Sequence, residues 1–348
     1  MAKDNDTERK RMNKNTNPNA TRRALVAAAI TVAAALALPS AAPAQGAYPT
    51  RTIRVIVPFP AGGTTDLLAR VFAQRLSEGL GQSVIVENMG GAGGSVGADA
   101  VAKAEPDGHT LLFHNLTFSS TTASLEFAGR AKHALSDFAP VSLAANVPML
   151  VVANPAVPAR DLKEFAAYAK DTAGKQALFY GSTGPGSIMN LATEVFKRDA
   201  GVAMDHVPFR GAAPLVQELV AGRIQFGGDQ LSTALPHVKS GALKPLATLA
   251  AERTTALPDV PTVRELGFPN MELRGWNGFF APARTPEAIV ARLQQEVAKA
   301  AQHPEVRRRL EEVGAEPVGS TPAELGRIVR EQIDKVRPLV SELKLVVQ

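Results

Sequence analysis

The chain has 348 residues, 45% hydrophobic and 20% charged, which allows a large core, points to two domains and excludes global disorder. With no cysteine, disulfides, thiolate metal sites and cysteine nucleophiles are excluded, and the six histidines form no H-x-x-x-H pair that would suggest zinc. The formal charge of +5 is local: seven of 38 Lys/Arg and three of 33 Asp/Glu lie in residues 1–44, leaving 31 basic against 30 acidic residues and no electrostatic case for nucleic acid.

The first predicted element is an export signal. A basic stretch ends at Arg22-Arg23, an apolar run follows from Ala24 to Leu38, and Ala42-Pro43-Ala44 supplies an A-x-A cleavage site. The run is shorter than the roughly 20 residues needed to span a bilayer. A signal peptide over residues 1–44, cleaved after Ala44, is therefore expected rather than a membrane anchor. Thr-Arg-Arg-Ala-Leu-Val (21–26) is similar to a twin-arginine signal, so the Sec and twin-arginine routes both fit. The mature protein is expected to work outside the cytoplasm.

Beyond the signal, short β-rich runs alternate with helical stretches. Ile53 to Val57, Ser83 to Val86, Thr110 to Phe113, Met149 to Val152 and Ala177 to Tyr180 read as strands. Leu67, Leu68, Val71, Phe72 and Leu76 recur at helical spacing, and Leu162 to Ala169, Leu191 to Phe196 and Pro214 to Val220 read as further helices. This alternation predicts an α/β protein with largely parallel sheets. In the C-terminal third, Thr285 before Pro286 and Glu287 predicts a capped helix start. Thr321-Pro322-Ala323-Glu324 predicts a full capping box.

Three glycine-rich stretches are candidates for chemistry. Pro58-Phe59-Pro60-Ala61-Gly62-Gly63-Thr64-Thr65-Asp66 lies between a strand and an amphipathic helix, with Thr64, Thr65 or Asp66 as the expected N-cap. Its free N–H groups and the positive end of the helix favour an anion. Gly181-Ser182-Thr183-Gly184-Pro185-Gly186-Ser187 repeats the arrangement and adds three hydroxyls able to donate to a carboxylate or phosphate. Two such junctions suggest half-sites facing each other across a ligand. Neither has the lysine of a nucleoside triphosphate loop.

The third stretch, Gly90 to Gly97, lacks the acidic residue that a dinucleotide fingerprint needs on the next strand, which ends Phe113-His114-Asn115. Gly93-Gly94-Ser95-Val96-Gly97 matches G-x-S-x-G, and Asp229 and His237 follow in hydrolase order, so a secreted serine hydrolase with Ser95 as nucleophile is the alternative. A glycine-permitted packing turn is the preferred reading. Asp229 could accept from a ligand ammonium or hydroxyl, or cap the next helix. Trp276, the only tryptophan, is expected in the core.

Seven motifs in order carry a resemblance: Val-Pro-Phe-Pro-Ala-Gly-Gly-Thr-Thr-Asp (57–66), Val-Glu-Asn-x-x-Gly-Ala-Gly-Gly (86–94), Ala-Lys-Ala-Glu-Pro-Asp-Gly-His-Thr-Leu (102–111), Tyr-Gly-Ser-x-Gly-x-Gly-Ser (180–187), Pro-Phe-Arg-Gly-Ala-Ala-Pro (208–214), Ala-Leu-Pro-Asp-Val-Pro-Thr (256–262) and Trp-x-Gly-Phe-Phe-Ala-Pro (276–282). From Tyr48-Pro49 to the C-terminal helices the chain resembles the substrate-binding receptors of tripartite tricarboxylate transporters, the Bug family. The resemblance implies a periplasmic, monomeric, non-catalytic receptor with the α/β two-domain periplasmic-binding-protein fold, type II, and its ligand in the interdomain cleft. Residues 48–147 plus 274–348 would form one domain and 148–273 the other. It implies a small carboxylate ligand, partly held through water, no cofactor or metal, and membrane permease subunits as possible partners. Carried over by position, Phe59, Pro60, Ala61, Gly62, Gly63, Thr64 and Asp66 form one pincer, and Ser182, Thr183, Gly184, Gly186, Ser187 and Asn190 the other. Asp229 would lie near the variable end of the ligand. Three positions depart from the family pattern: Asn190 for a histidine, Met89 for an arginine and Gly228 for a phenylalanine.

Overall fold

The computed structural model describes residues 48–347; the expected export signal and its cleavage site at Ala44 lie outside the described residues. The first sheet begins with β1 (Ile53–Val57), whose β-branched residues are all buried, followed by α1 (Thr64–Leu80). β2 (Val84–Asn88), α2 (Ser95–Ala102), β3 (Thr110–Asn115), α3 (Thr117–Phe127) and β4 (Phe138–Asn146) follow. The second sheet is built from β5 (Met149–Ala153), α4 (Leu162–Thr172), β6 (Phe179–Ser182), α5 (Ile188–Ala200), β7 (Asp205–Pro208), α6 (Ala212–Val220), β8 (Phe226–Gln230), α7 (Leu231–Lys239) and β9 (Lys244–Thr248). The chain then returns to the first sheet through β10 (Trp276–Pro282), α8 (Glu287–Gln302), α9 (Pro304–Glu311), β11 (Glu316–Pro317) and α10 (Pro322–Glu342).

The strand orders are β11-β4-β10-β3-β1-β2 and β7-β6-β8-β5-β9. The expectation of largely parallel sheets is corrected: both are mixed. β1 pairs in parallel with β2 and β3, and β6 with β7 and β8. β10, however, is antiparallel to β3 and β4, and β5 is antiparallel to β8 and β9. The reason is connectivity. A parallel neighbour needs a crossover of a dozen or more residues. β5 follows β4 after only Val147 and Pro148, in the other sheet, and β10 is the returning strand. The two crossing segments abut, since Val147 N–H donates to Gly275 O at 3.1 Å.

Local boundaries also differ from expectation. Gly63, not Thr64, Thr65 or Asp66, is the N-cap of α1, and it has no side-chain cap. Thr285 does not cap: α8 starts after Pro286, and the buried Thr285 hydroxyl has no partner. Thr321 does cap α10, accepting from Glu324 N–H at 3.2 Å. Trp276 is fully buried and its indole N–H donates to Gln332, as its place in the core requires. The Gly90–Gly97 stretch is a tight turn into α2, and a Cβ on Gly97 would lie 2.9 Å from both Met89 O and Pro58 Cβ.

Candidate functional site

The cleft between the two sheets is where strand-to-helix junctions from both converge. Its wall is formed by Phe59, Pro60, Gly63, Thr64, Thr65, Asn115, Leu116, Thr117 and Met149, and by Thr183, Ile188, Met189, Gly211, Ala212, Gly228, Asp229 and Gln230. Those residues open five α-helices: Gly63, Thr64 and Thr65 open α1, Leu116 and Thr117 open α3, Ile188 and Met189 open α5, Gly211 and Ala212 open α6, and Gln230 caps α7. Each N-terminus carries roughly half a positive elementary charge on unpaired N–H groups. The N–H groups of Thr64, Thr65, Ile188, Met189 and Ala212 have no acceptor among the described residues. No Lys, Arg or His lines this cleft, and Asp229 is its only ionisable side chain. The positive groups this cleft offers are therefore backbone N–H ends.

The first junction is held in shape by Asp66. Its carboxylate accepts from Gly62 N–H at 3.1 Å, from Asn88 Nδ2 at 2.9 Å and from Arg70 Nε at 3.1 Å. Asn88 Nδ2 also donates to Phe59 O at 3.0 Å. Burial opposes ionisation of Asp66, yet Arg70, Gly62 and Asn88 together hold its carboxyl below the ordinary value. Asp66 thus shapes the loop from behind and, like Ala61 and Gly62, does not line the cleft.

The second junction uses its hydroxyls in the same way. Ser182 Oγ donates to Gly184 O and accepts from Gly184 N–H, both at 3.1 Å, and lies 2.7 Å from His206 Nε2. Ser187 is the N-cap of α5, accepting from Asn190 N–H at 3.4 Å. Asn190 Oδ1 accepts from Gly186 N–H at 3.0 Å, and its Nδ2 donates to Tyr180 Oη at 2.8 Å. Of the second-loop residues expected at the ligand, Thr183 lines this cleft, while Ser182, Gly184, Gly186, Ser187 and Asn190 do not. Gly228, where the family pattern has phenylalanine, has no room for a side chain: a Cβ there would be 2.6 Å from Met189 Cε and 2.4 Å from Leu150 O.

Two polar chains cross between the sheets. Thr233 Oγ1 donates to Asp229 Oδ2, and its single proton is then committed, so the 3.3 Å contact with Thr64 Oγ1 has Thr64 as donor. Asn115 Nδ2 donates to Thr65 Oγ1 at 3.0 Å and Gln230 Oε1 at 3.3 Å, while Asn115 Oδ1 accepts from Thr117 N–H at 3.0 Å. Burial pushes the Asp229 carboxyl up to about 6, against the Thr233 hydroxyl and Gln230 N–H, which favour its charged form. Ser95 opens α2, and no hydrogen bond joins it to Asp229 or His237 among the described residues. The nucleophile–base contact that a hydrolase needs is not assembled.

Sequence reasoning missed Thr65, Asn115, Leu116, Thr117, Met149, Ile188, Met189, Gly211, Ala212 and Gln230. The signal for the third junction was available: Asn115-Leu116-Thr117 also ends a strand and starts a helix, but without the glycines that marked the other two.

Two mixed sheets with helix ends converging on the cleft between them define an α/β protein whose cleft carries no cationic side chain. The comparisons agree. The family model described as tripartite tricarboxylate transporter family receptor matches residues 68–345. The chain is 35% identical to Protein BugT of Bordetella pertussis over 295 residues, covering 85% of this chain and 90% of that one. Among solved structures, MatC of Rhodopseudomonas palustris with bound malate is 37% identical with a TM-score of 0.78, covering 84% of this chain and 100% of its own. An R. palustris protein with adipate is 34% identical with a TM-score of 0.80, covering 86% and 99%. The periplasmic binding protein BugD is 32% identical with a TM-score of 0.78, covering 86% and 100%. The chain belongs to the tripartite tricarboxylate transporter receptor family and has the periplasmic-binding-protein fold.

Proposed function

We propose that the protein is an extracytoplasmic solute receptor that holds a small carboxylate in the cleft between its two sheets and presents it to a membrane permease of the tripartite tricarboxylate type or to a sensor. The convergence of five helix N-termini on a cleft without a cationic side chain carries this reading. Such a site stabilises a carboxylate by preorganised N–H donors, without the desolvation cost of burying a lysine or arginine. Relatives solved with malate and adipate support the ligand class. No helix among the described residues is long and apolar enough to cross a membrane, which fits an exported receptor.

In this reading residues 48–147 with 274–348 form one domain and 148–273 the other, hinged where Val147 meets Gly275. Both stretches lie within the one compact unit that begins at Pro49. The test is a thermal-shift screen against small mono-, di- and tricarboxylates, followed by calorimetry. A cognate acid at one hundred times its dissociation constant should stabilise the fold by about 2.7 kcal/mol. Melting indifferent to every acid would refute the receptor, and acid consumption during incubation would indicate turnover.

A further inference from the structure

Asp229, the last residue but one of β8, is half-buried in the wall of a cleft that supplies no cationic side chain to balance it. Thr233 donates to its Oδ2, and Thr64 donates in turn to Thr233. Thr64 opens α1, so the carboxyl lies two hydrogen bonds from the first of the converging helix ends. Two such bonds span roughly 6 Å at most. The charged groups on the surrounding elements are paired among themselves or lie at far ends. β5 and β6 carry none. On α5, Glu194 pairs with Lys197 and Arg198 with Asp199. Glu218 on α6 pairs with Arg223, and Asp66 in the first turn of α1 pairs with Arg70. His237 and Lys239 lie in the last turn of α7, the end away from Asp229. None of them lines the cleft, and the ionisation of Asp229 is set by burial, Thr233 and Gln230 N–H.

An anion that enters this cleft shares it with a second carboxylate and no cation. Two like charges in one site repel, and the repulsion deepens as water is excluded. The relief this site allows is a proton on one of the two. The helix N-termini stabilise the charge of the incoming acid. Asp229 has no such support beyond Thr233 and Gln230, and burial already favours its neutral form, so the proton falls to it. We propose that the cleft binds a carboxylate together with one proton, which is held on Asp229. The proposal rests on the cleft being a carboxylate site. Protonation also turns one Asp229 oxygen from an acceptor into a donor. Occupancy of the receptor is then highest where the medium is acidic and falls as pH rises.

The experiment is calorimetry on the purified protein with malate, adipate and straight-chain monocarboxylates between about pH 6.5 and about pH 8.5, where these acids are fully ionised. Repeating each titration in two buffers of different ionisation enthalpy counts the protons taken up. Near neutral pH, roughly half to one proton should enter with each acid bound, and affinity should fall by up to about tenfold per pH unit. Asp229→Asn, which keeps an oxygen for the Thr233 hydroxyl, should take up no proton and bind with the same affinity across the range. Wild-type binding without proton uptake would overturn the proposal and leave the receptor reading standing. Uptake that persists undiminished in Asp229→Asn would place the proton on another group and overturn it as well. Binding of none of these acids at any pH would remove both readings.

Discussion

Asp229 and His114 impose opposite pH dependences on the same fold. Burial pushes the Asp229 carboxyl from the ordinary 3.8 up to about 6. The folded state then holds its proton more tightly than the unfolded chain, so stability falls as pH rises through that window and is level above it. Burial drops the His114 imidazole from 6.5 to about 3, and its Nδ1 already accepts from Asn115 N–H at 2.8 Å. The unfolded chain is therefore the better proton acceptor there, and stability rises with pH from about 3 to 6.5. His133 and His206, also lowered by burial, add to the rise. The slopes partly cancel between pH 4 and 6. Asp229→Asn should remove the falling one, so urea unfolding should show a steeper rise with pH and a gain on the order of 1–2 kcal/mol at neutral pH. An unchanged slope would mean that Asp229 ionises normally. Residue identity was legible here and environment was not: nothing near position 229 in the sequence indicates burial beside Thr233.

At the junctions the polar side chains face backwards into their own loops, which leaves the backbone turned toward the cleft. Asp66, Ser182, Ser187 and Asn190 are polar residues in the expected loops, yet each is engaged in holding its loop. The sequence marks such residues as polar and turn-forming, but the direction of a side chain depends on loop dihedrals and on partners far along the chain, such as Asn88 and Tyr180. Close packing behind the loops is equally demanding at Gly228, which sits in β8 between Leu150 O and Met189. Gly228→Ala should cost roughly 2 kcal/mol in unfolding free energy, because a β-sheet carbonyl cannot move aside as a flexible side chain can. Shortening Met189 in the same chain should recover only part of the loss. Full recovery would show that the methionine, rather than the backbone, sets the limit.

At the scale of the whole molecule, two sheets face each other across the cleft. The chain crosses between them at Val147-Pro148 and again before Trp276, while Thr64 and Thr233 meet across the cleft. If the cleft holds a carboxylate as proposed, closure around it would bring the helix ends together and exclude water, strengthening every N–H contact to the anion. Small-angle scattering should accordingly show a smaller radius of gyration at saturating ligand than without it. Thr233→Val, which removes the hydroxyl linking Thr64 to Asp229, should leave the liganded radius unchanged and expand the ligand-free form. Identical radii with and without ligand would exclude hinge closure as the binding motion.

By itself the sequence determined the alternation of strands and helices, two of the glycine-rich junctions and the family to which the chain belongs, because hydrophobic period, turn residues and motif order are local properties. The tertiary structure decided the rest. It set the mixed direction of both sheets, since β5 and β10 find their partners across connections that no local signal describes. It brought the third, fourth and fifth helix N-termini to the same cleft. A helix end is encoded in a few neighbouring residues; the convergence of five such ends depends on how the whole core packs.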